Sequence, residues 1–327
     1  MSAPLTDQHG RRKRKLRVSL TDRCNFRCTY CMPEQPIWLP KKEVLSNAER
    51  FRLLRLFVTE LGIGEIRLTG GEPLLRPDVE ARAAELRSLA DAGLQKLALT
   101  TNGQGLARRA TALRAAGIDS VNVSLDAISP AGFARLTGGR GKVSAVQEGI
   151  VAAREAGLKP KINAVILAGE NEDEIIPLAR WAAAQSVPLR LIEFMPLDDG
   201  GQWRQSRVFS EQQMLAVLER EFAVRAEAES SDPARYYTLD GAHRLGIIST
   251  ISRPFCTRCD RLRLTADGQL YSCLFSANGK DLRGLMRAGA SDDDLLAAIR
   301  GEVFHKQSGY AAGGYVERPI SMHALGG

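Results

Sequence analysis

The chain contains no long apolar run, few histidines and few aromatic residues. No stretch approaches the roughly 18 apolar residues that a membrane-spanning helix requires, and residues 1–10 are polar, without the apolar core of a signal peptide. We therefore expect no membrane partner and a cytoplasmic location. Of 327 residues, 44% are hydrophobic and 25% are charged, which excludes a disordered tail, a collagen and a disulfide-rich mini-domain.

The excess of positive charge is modest, at +7. Part of it lies in the run RRKRK at residues 11–15, which we interpret as a solvated N-terminal arm (residues 1–15). A nucleic-acid-binding patch is the alternative interpretation of such a run. Because aromatic residues make up only 6% of the chain, we expect no nucleic-acid partner.

Six cysteines form two tight groups of three. The groups are Cys24, Cys28 and Cys31, and Cys256, Cys259 and Cys273. Disulfides are not expected, because three thiols leave one unpaired and a chain of this size needs no staples. Structural zinc usually takes four ligands, and none of the four histidines lies inside either group. An iron–sulfur cluster on three thiolates keeps one iron open for another ligand. A metal site is therefore favoured.

Residues 16 to about 225 alternate short β-branched runs with longer amphipathic stretches. Predicted strands are 16–20, 65–68, 96–99, 120–123, 161–166 and 189–194. Predicted helices are 47–61, 79–92, 106–116, 143–156 and 173–184. Repeated strand–helix units predict an α/β fold with a parallel sheet. Six units fall short of the eight that close a barrel, so we expect a partial, open (βα)6 TIM-like barrel.

The remainder of the chain, 226–327, has shorter alternating runs and one predicted helix near 292–301. We expect it to form a C-terminal α+β region that covers the mouth of the barrel. The predicted domains are therefore the arm (1–15), the barrel with the first cysteine group (16–225) and this C-terminal region with the second group (226–327).

Polar residues or glycines follow most of the predicted strands. Gly70, Gly71 and Glu72 follow the second strand, Ser124 follows the fourth and Met195 follows the sixth. Because active sites in such folds lie at the carboxyl ends of the strands, we expect a shared site there. The glycine pair allows close approach of the backbone to a ligand, and the carboxylate could hold a ligand's ammonium group.

Two motifs resemble those of radical S-adenosylmethionine (SAM) enzymes. CNFRCTYC at 24–31 has the CxxxCxxC spacing of their cluster loop, and GGEP at 70–73 is similar to their SAM-binding motif. The second cysteine group, Cys-x2-Cys-x13-Cys with Arg261 and Arg263 behind it, resembles the GTP-cyclising family that opens molybdenum cofactor biosynthesis. LTTNG, NVSLDA and RLIEFM match the same pattern, and the likeness covers nearly the whole chain from about Leu16.

The resemblance implies two [4Fe–4S] clusters and SAM as cofactors. The first cluster would lie on Cys24, Cys28 and Cys31 and chelate SAM, and the second on Cys256, Cys259 and Cys273 facing the substrate. The implied SAM contacts are Tyr30, Gly71, Glu72, Ser124 and Met195. The terminal Gly326 and Gly327 would enter the active site.

The implied substrate is GTP. Its implied contacts are Arg17, Arg67, Thr100, Lys161, Arg190, Arg261 and Arg263. Four of these cations lie on predicted strands, where a long cation on an otherwise apolar inner face is costly unless it is paired. Arginine offers a fixed fork of donors that suits phosphate.

The reaction implied by the resemblance is a radical cyclisation. Reductive cleavage of SAM would give a 5′-deoxyadenosyl radical that abstracts hydrogen from C3′ of the ribose. The C3′ radical would attack C8 of guanine, and reduction would then give a 3′,8-cyclised dihydro-GTP. The implied partners are an electron donor such as flavodoxin or ferredoxin, and a downstream cyclic pyranopterin monophosphate synthase. A homodimer is possible.

Two alternatives are retained. One is a radical SAM enzyme with a second cluster that acts on another substrate, such as a peptide. The strand-borne cations and the Gly-Gly end argue against it. The other is a zinc-dependent nucleic-acid-binding protein, and the absence of histidine from both cysteine groups argues against that class.

Overall fold

A computed structural model describes residues 4–197, 203–228, 232–309 and 322–326. Its strands are β1 (Lys15–Ser19), β2 (Glu65–Thr69), β3 (Lys96–Thr101), β4 (Ser120–Ser124), β5 (Lys159–Ile166), β6 (Leu189–Glu193), β7 (Val224–Ala226), β8 (Arg235–Leu239), β9 (His243–Ile248), β10 (Arg261–Leu264), β11 (Gln269–Tyr271) and β12 (Lys280–Asp281). Its helices are α1 (Asn47–Thr59), α2 (Val79–Arg87), α3 (Ala110–Ala115), α4 (Pro130–Leu136), α5 (Val143–Glu155), α6 (Ile175–Ala184), α7 (Glu211–Leu218), α8 (Leu282–Arg287), α9 (Asp292–Phe304) and α10 (Met322–Leu325).

All twelve strands form one sheet in the order β12-β11-β10-β1-β2-β3-β4-β5-β6-β9-β8-β7. The run from β10 to β9 is parallel, and antiparallel strands extend it at both edges. The sheet is open, which confirms the predicted α/β class and partial barrel. The C-terminal strands therefore continue both edges of the barrel, where an unpaired strand would otherwise expose its backbone groups.

Apolar and charged residues alternate along the barrel strands. The apolar side chains face the helices, and the charged side chains face the interior of the barrel. Leu16 and Val18 of β1 are fully buried, whereas Arg17 between them is only partly buried. Successive side chains of a strand point to opposite faces, so the apolar residues pack on the helices and the arginine points inward. The strand β2 repeats this arrangement around Arg67, between Ile66 and Leu68.

The prediction of a solvated N-terminal arm is wrong for two of its cations. Arg11 is 9% exposed and Lys13 is fully buried, whereas Arg12 and Arg14 are exposed. Asp7 lies beside the buried pair and forms ion pairs with both side chains. The segment folds back on itself through a bridge between residues 6 and 12 and is part of the packed structure.

The predicted helices are largely confirmed, with ends that shift by a few residues. The structure adds α4, α7, α8, α10 and the short strands β7 and β12, which the sequence pattern did not indicate. Within the described ranges, no helix is long and apolar enough to cross a bilayer.

The buried carboxylate of Glu193, at the end of β6, ties the strand to the following segments. It accepts hydrogen bonds from the backbone amides of Glu211 (3.0 Å), Ile251 (2.8 Å) and Ser252 (2.9 Å), and from the Ser252 hydroxyl. We expect Glu193→Ala to lower the free energy of unfolding by about 1–3 kcal/mol, because these buried donors lose their acceptor. Urea denaturation measures the change.

The matched control for this substitution is Glu148→Ala, on the exposed face of α5. We expect it to change the free energy of unfolding by less than about 0.5 kcal/mol. Equal effects of the two substitutions would contradict the role assigned to Glu193.

Candidate active site

A single cavity of about 250 Å³ inside the barrel is lined by all six cysteines. All six are free thiols. The first group follows the carboxyl end of β1. The second group lies near the amino end of β1. Lys13, two residues before this strand begins, donates to the Cys259 carbonyl (2.8 Å). The five residues of β1 between the two groups span about 16 Å. The cavity therefore spans the barrel, and the site is not confined to the carboxyl ends.

The first cysteine loop is fixed by its backbone. Arg27 and Thr29 donate their amides to the carbonyls of Thr137 and Leu136, at the end of α4 and just beyond it (both 3.1 Å). The Cys24 thiol accepts from the amide of Phe26 (3.4 Å) and from the side-chain amide of Asn102 (3.8 Å). Burial raises the pKa of Cys24 to about 11 and that of Cys28 well above its ordinary value.

The second cysteine group has a more positive environment. Cys256–Arg258 form one 3-10 turn, and Cys273 accepts from the amide of Phe275 (3.5 Å). Burial acts to raise the pKa of Cys259, but the charges of Arg261 and Lys306, together with hydrogen bonds from Arg261, outweigh it and bring the pKa to about 6. Cys259 therefore loses its proton more readily than Cys24, and a thiolate is the form that binds metal.

The donor set fits clusters better than single ions. Within the described ranges, no three His, Cys, Asp or Glu side chains converge on one ion. In a cubic iron–sulfur cluster each thiolate binds a different iron, so the sulfurs lie farther apart than they do around one zinc. Each group supplies three free thiols, and backbone amides donate to the sulfurs of Cys24 and Cys273, which suits thiolate ligands of such a cluster.

The glycine pair brings two loops into close contact. The amides of Gly71 and Glu72 donate to the carbonyls of Thr21 and Arg23 (both 2.8 Å). Gly70 has φ +140°, and a Cβ there would lie 2.3 Å from the Thr21 carbonyl oxygen. A Cβ on Gly71 would lie equally close to the Arg23 carbonyl. The close approach therefore joins the GGEP loop to the chain just before the first cysteine.

Glu72 is buried and is not among the residues that line the cavity. Its carboxylate accepts from the Leu74 amide (2.8 Å), the Thr101 hydroxyl (2.7 Å) and the Asn102 amide (2.6 Å). Burial raises its pKa to about 7, against the effect of these hydrogen bonds. In this structure the side chain holds the end of β3. The other predicted SAM contacts, Tyr30, Gly71, Ser124 and Met195, all line the cavity.

Cations from neighbouring strands stand side by side inside the barrel. Arg17 of β1 is in register with Arg67 of β2 and with Arg263 of β10. Burial, and then the charges of Arg263, Arg261, Arg67 and Arg190, lower the pKa of Arg17. Among the described residues, no carboxylate lies within ion-pair distance of Arg17, so a buried charge here favours a ligand of opposite sign.

The structure brings most of the predicted substrate contacts to the cavity wall. Those that line it are Arg17, Thr100, Arg190, Arg261 and Arg263. Arg67 and Lys161 are not among the lining residues. Arg67 is paired with Glu65 (3.2 Å), and the charges around Lys161 include those of Arg190 and Asp232. Arg190 donates to the side chain of Asn163 (3.0 Å).

The described end of the chain packs next to the arginine row, which is formed by Arg17, Arg67 and Arg263. Arg263 donates to the carbonyls of Leu325 (3.3 Å) and Gly326. Gly326 has φ +78°, and a Cβ there would lie 2.5 Å from the Thr69 methyl. Gly327 lies outside the described residues. Met322 and His323 line the cavity.

Several lining residues were not among the predicted contacts of SAM or GTP. They are Asn102, Asn122, Asp126, Asn163, Lys306 and His323. Asn102 and Asp126 belong to the polar strand ends that the sequence placed near a shared site, whereas Asn122 and Asn163 lie within β4 and β5. Lys306 lies just beyond α9 and His323 on the short helix α10, and no sequence signal marks either of them.

Two family models match the chain in succession. The Radical SAM superfamily model matches residues 18–182, about half of the chain, and the Molybdenum Cofactor Synthesis C model matches residues 187–312. The barrel, the first cysteine loop and the first of these matches define the chain as a radical SAM enzyme.

Curated relatives narrow the assignment. The GTP 3′,8-cyclase of Mycobacterium marinum is 45% identical, covering 99% of this chain and 92% of the relative. The GTP 3′,8-cyclase of Streptomyces coelicolor is also 45% identical and covers 99% and 96%. The chain belongs to the GTP 3′,8-cyclase family.

A solved structure supports the fold alone. The Streptococcus suis protein SuiB bound to S-adenosylmethionine aligns with a TM-score of 0.57 at 14% identity. The alignment covers 85% of this chain and 64% of SuiB. At this identity the likeness concerns the partial barrel and carries no information on substrate.

The raised pKa of Asp126 predicts that stability depends on pH. Its carboxylate accepts from the Tyr30 hydroxyl (2.7 Å) and the Val165 amide (2.8 Å), yet burial raises its pKa from 3.8 to about 6. The folded state therefore keeps a proton that the unfolded state has released. Relative to Asp126→Asn, the iron-free wild type should lose about 2 kcal/mol of stability as pH rises from about 4 to about 6.

Denaturant unfolding of both proteins at a series of pH values measures this difference. The asparagine amide can accept from Val165 and donate to Tyr30, so the variant keeps both contacts. A difference in unfolding free energy that does not change with pH would contradict the raised pKa.

Proposed function

We propose that this cavity converts GTP to (8S)-3′,8-cyclo-7,8-dihydroguanosine 5′-triphosphate, the first step of molybdenum cofactor biosynthesis. One observation carries the proposal. Two groups of three free thiols face the same cavity from opposite ends, with a row of arginines between them. Membership in a family of GTP 3′,8-cyclases supports the same reaction.

The cofactors are SAM and two [4Fe–4S] clusters. Cys24, Cys28 and Cys31 would hold the first cluster, and Cys256, Cys259 and Cys273 the second. When bound, these groups supply the electron and the radical chemistry that removes a hydrogen from C3′ and joins C3′ to C8 of guanine.

SAM binds beside the first cysteine loop in this proposal. Gly71 and Ser124 offer backbone and hydroxyl groups at the ends of β2 and β4, and Tyr30 and Met195 offer apolar surface. Glu72 contributes to this subsite through Thr101 and Asn102, whose positions its carboxylate fixes. A direct contact of Glu72 with the SAM ammonium remains a prediction.

GTP binds between the thiol groups. Its triphosphate is a polyanion, and the arginine row supplies charge that no carboxylate of the described ranges neutralises at Arg17. Arg190 and Thr100 extend this surface along the inner face of the sheet, and Arg67 and Lys161 add charge behind it. Arginine forks favour phosphate oxygens through bidentate hydrogen bonds.

Arg261 and Arg263 orient the substrate near the second thiol group. Arg261 lies over the Phe255 ring (4.6 Å) and beside the Cys259 thiol, whereas Arg263 also holds the tail through Leu325 and Gly326. Apolar side chains around the first thiol group, including Phe26, exclude water from the reacting atoms.

Partners follow from the reaction. We infer a one-electron donor of the flavodoxin or ferredoxin class, and a cyclic pyranopterin monophosphate synthase that takes the product. A homodimer, a cytoplasmic location and the division of the chain at residue 225 remain predictions.

Iron content and product formation test the assignment together. Anaerobically reconstituted protein should hold about eight irons, and Cys28→Ala and Cys256→Ala about four each. With reductant, SAM and GTP, only the wild type should form 5′-deoxyadenosine in proportion to GTP loss. Colourless protein with two zinc ions, or 5′-deoxyadenosine formed equally without GTP, would overturn the proposal.

Arg17→Met tests the substrate site. Without ligand, the variant should be at least as stable as the wild type, because repulsion from the neighbouring arginines is removed. Its affinity for GTP should fall about 10- to 100-fold, the loss of one charged hydrogen-bonding partner. Anaerobic equilibrium dialysis with the reconstituted protein measures the affinity.

Arg220→Met is the control for this substitution, since Arg220 is exposed just after α7. It should bind GTP as the wild type does. If Arg17→Met also keeps the wild-type affinity, the arginine row does not hold the substrate.

A further inference from the structure

The buried part of the N-terminal segment is organised around one carboxylate. The Asp7 Oδ2 atom accepts from Arg11 Nε and from Lys13 Nζ (both 2.7 Å). Its Oδ1 atom accepts from the backbone amides of His9 and Arg11 (both 3.0 Å). Asp7 is 3% exposed. Its four hydrogen bonds therefore fix both cations in orientation.

The remaining donors of these cations reach the second cysteine loop. Arg11 Nη1 donates to the carbonyls of Cys256 (2.8 Å) and Ser308 (2.7 Å). Lys13 Nζ donates to the carbonyl of Cys259 (2.8 Å). Arg11 Nη2 donates to the carbonyl of Gln307 (2.6 Å). Two of the three thiol-bearing residues thus have their backbone carbonyls held by charged donors.

A buried cation also holds the backbone next to the third cysteine, Cys273. Lys306, which is 3% exposed, donates its ammonium to the carbonyl of Ser272, the residue before Cys273. Residues 272, 307 and 308 lie far from the N-terminus in sequence. The three cations therefore join the separate loops that carry the second thiol group.

The loop's own secondary structure is short. Cys256–Arg258 form a single 3-10 turn without a side-chain cap. Backbone support comes from Asp260, whose carbonyl accepts from the amides of Arg14 (3.0 Å) and Lys15 (3.1 Å). A short turn of this kind is not stable alone. Its geometry depends on contacts from the N-terminal segment.

We propose that Asp7, Arg11 and Lys13 form a positioning unit that holds Cys256 and Cys259 ready for the second cluster before iron binds. The role of those cysteines as cluster ligands rests on the proposed function. The unit itself is present in the protein without iron. Its net charge of +1, with Lys306 beside it, also offsets the negative charge that three thiolates bring together.

Hydrogen exchange of the iron-free, full-length chain tests the positioning directly. In Arg11→Ala, peptides that contain residues 256–260 and 306–309 should exchange about tenfold faster or more, whereas residues 24–31 should be unchanged. Arg12→Ala and Arg14→Ala are matched controls, because these exposed arginines flank the buried cations. Unchanged exchange at 256–260 in Arg11→Ala would overturn the proposal.

Iron counting gives an independent measure at the second site. Cys28→Ala, which keeps only that site, should hold about four irons, and Cys28→Ala with Arg11→Ala should hold few. Cys28→Ala combined with Arg12→Ala should still hold about four irons. Equal iron in the Arg11 and Arg12 combinations would overturn the proposal. If the wild type bound no iron, the proposed function would fail, while the exchange experiment would still decide the positioning.

A milder substitution covers the case in which Arg11→Ala unfolds the whole chain. Lys13→Met removes the bond to the Cys259 carbonyl while its apolar side chain still fills the buried space. Where all irons are retained, the second cluster of this variant should show a lower reduction potential than that of Arg12→Ala, since one nearby positive charge is lost. Identical potentials, with identical exchange at 256–260, would overturn the proposal.

Discussion

The pairing of β1 with β10 is the constraint on which the rest of the site depends. It joins Arg17 to Arg263 in register across nearly 250 residues of sequence. Because β1 leads into the first cysteine loop and β10 follows two cysteines of the second, the same ladder sets the distance between the thiol groups. A register slip of one residue would turn the arginines outward and the apolar residues into the cavity.

The second determinant of the site is the positive charge of Arg17, which no carboxylate among the described residues neutralises. Burial, and then the charges of the neighbouring arginines, lower the pKa of Arg17. Burying these arginine charges side by side lowers the stability of the folded state. The apolar faces of the strands, with buried residues such as Leu16 and Val18, offset this cost. A polyanionic substrate relieves the repulsion. Binding and stability are therefore linked at this row of side chains.

Much of the architecture and of the site could be predicted from the sequence because the relevant signals are local. The cysteine spacing at 24–31, the strand–helix units and the Arg261/Arg263 alternation each lie within a few residues. The burial of Arg11 and Lys13 could not be predicted, since a run of five cations has no apolar alternation. Their partners are carbonyls near residues 256–259 and 307–308, and only tertiary structure brings these together.

The link between β1 and β10 has a consequence for the order in which the protein is made. β1 leaves the ribosome about 240 residues before β10, a delay of roughly 10–50 s at ordinary elongation rates. During this time the first three thiols exist without the strand that completes the inner wall beside them. The N-terminal segment likewise waits for the loop that it holds. The first thiol group is therefore synthesised well before the second, and the inner wall between them forms only after β10 pairs with β1.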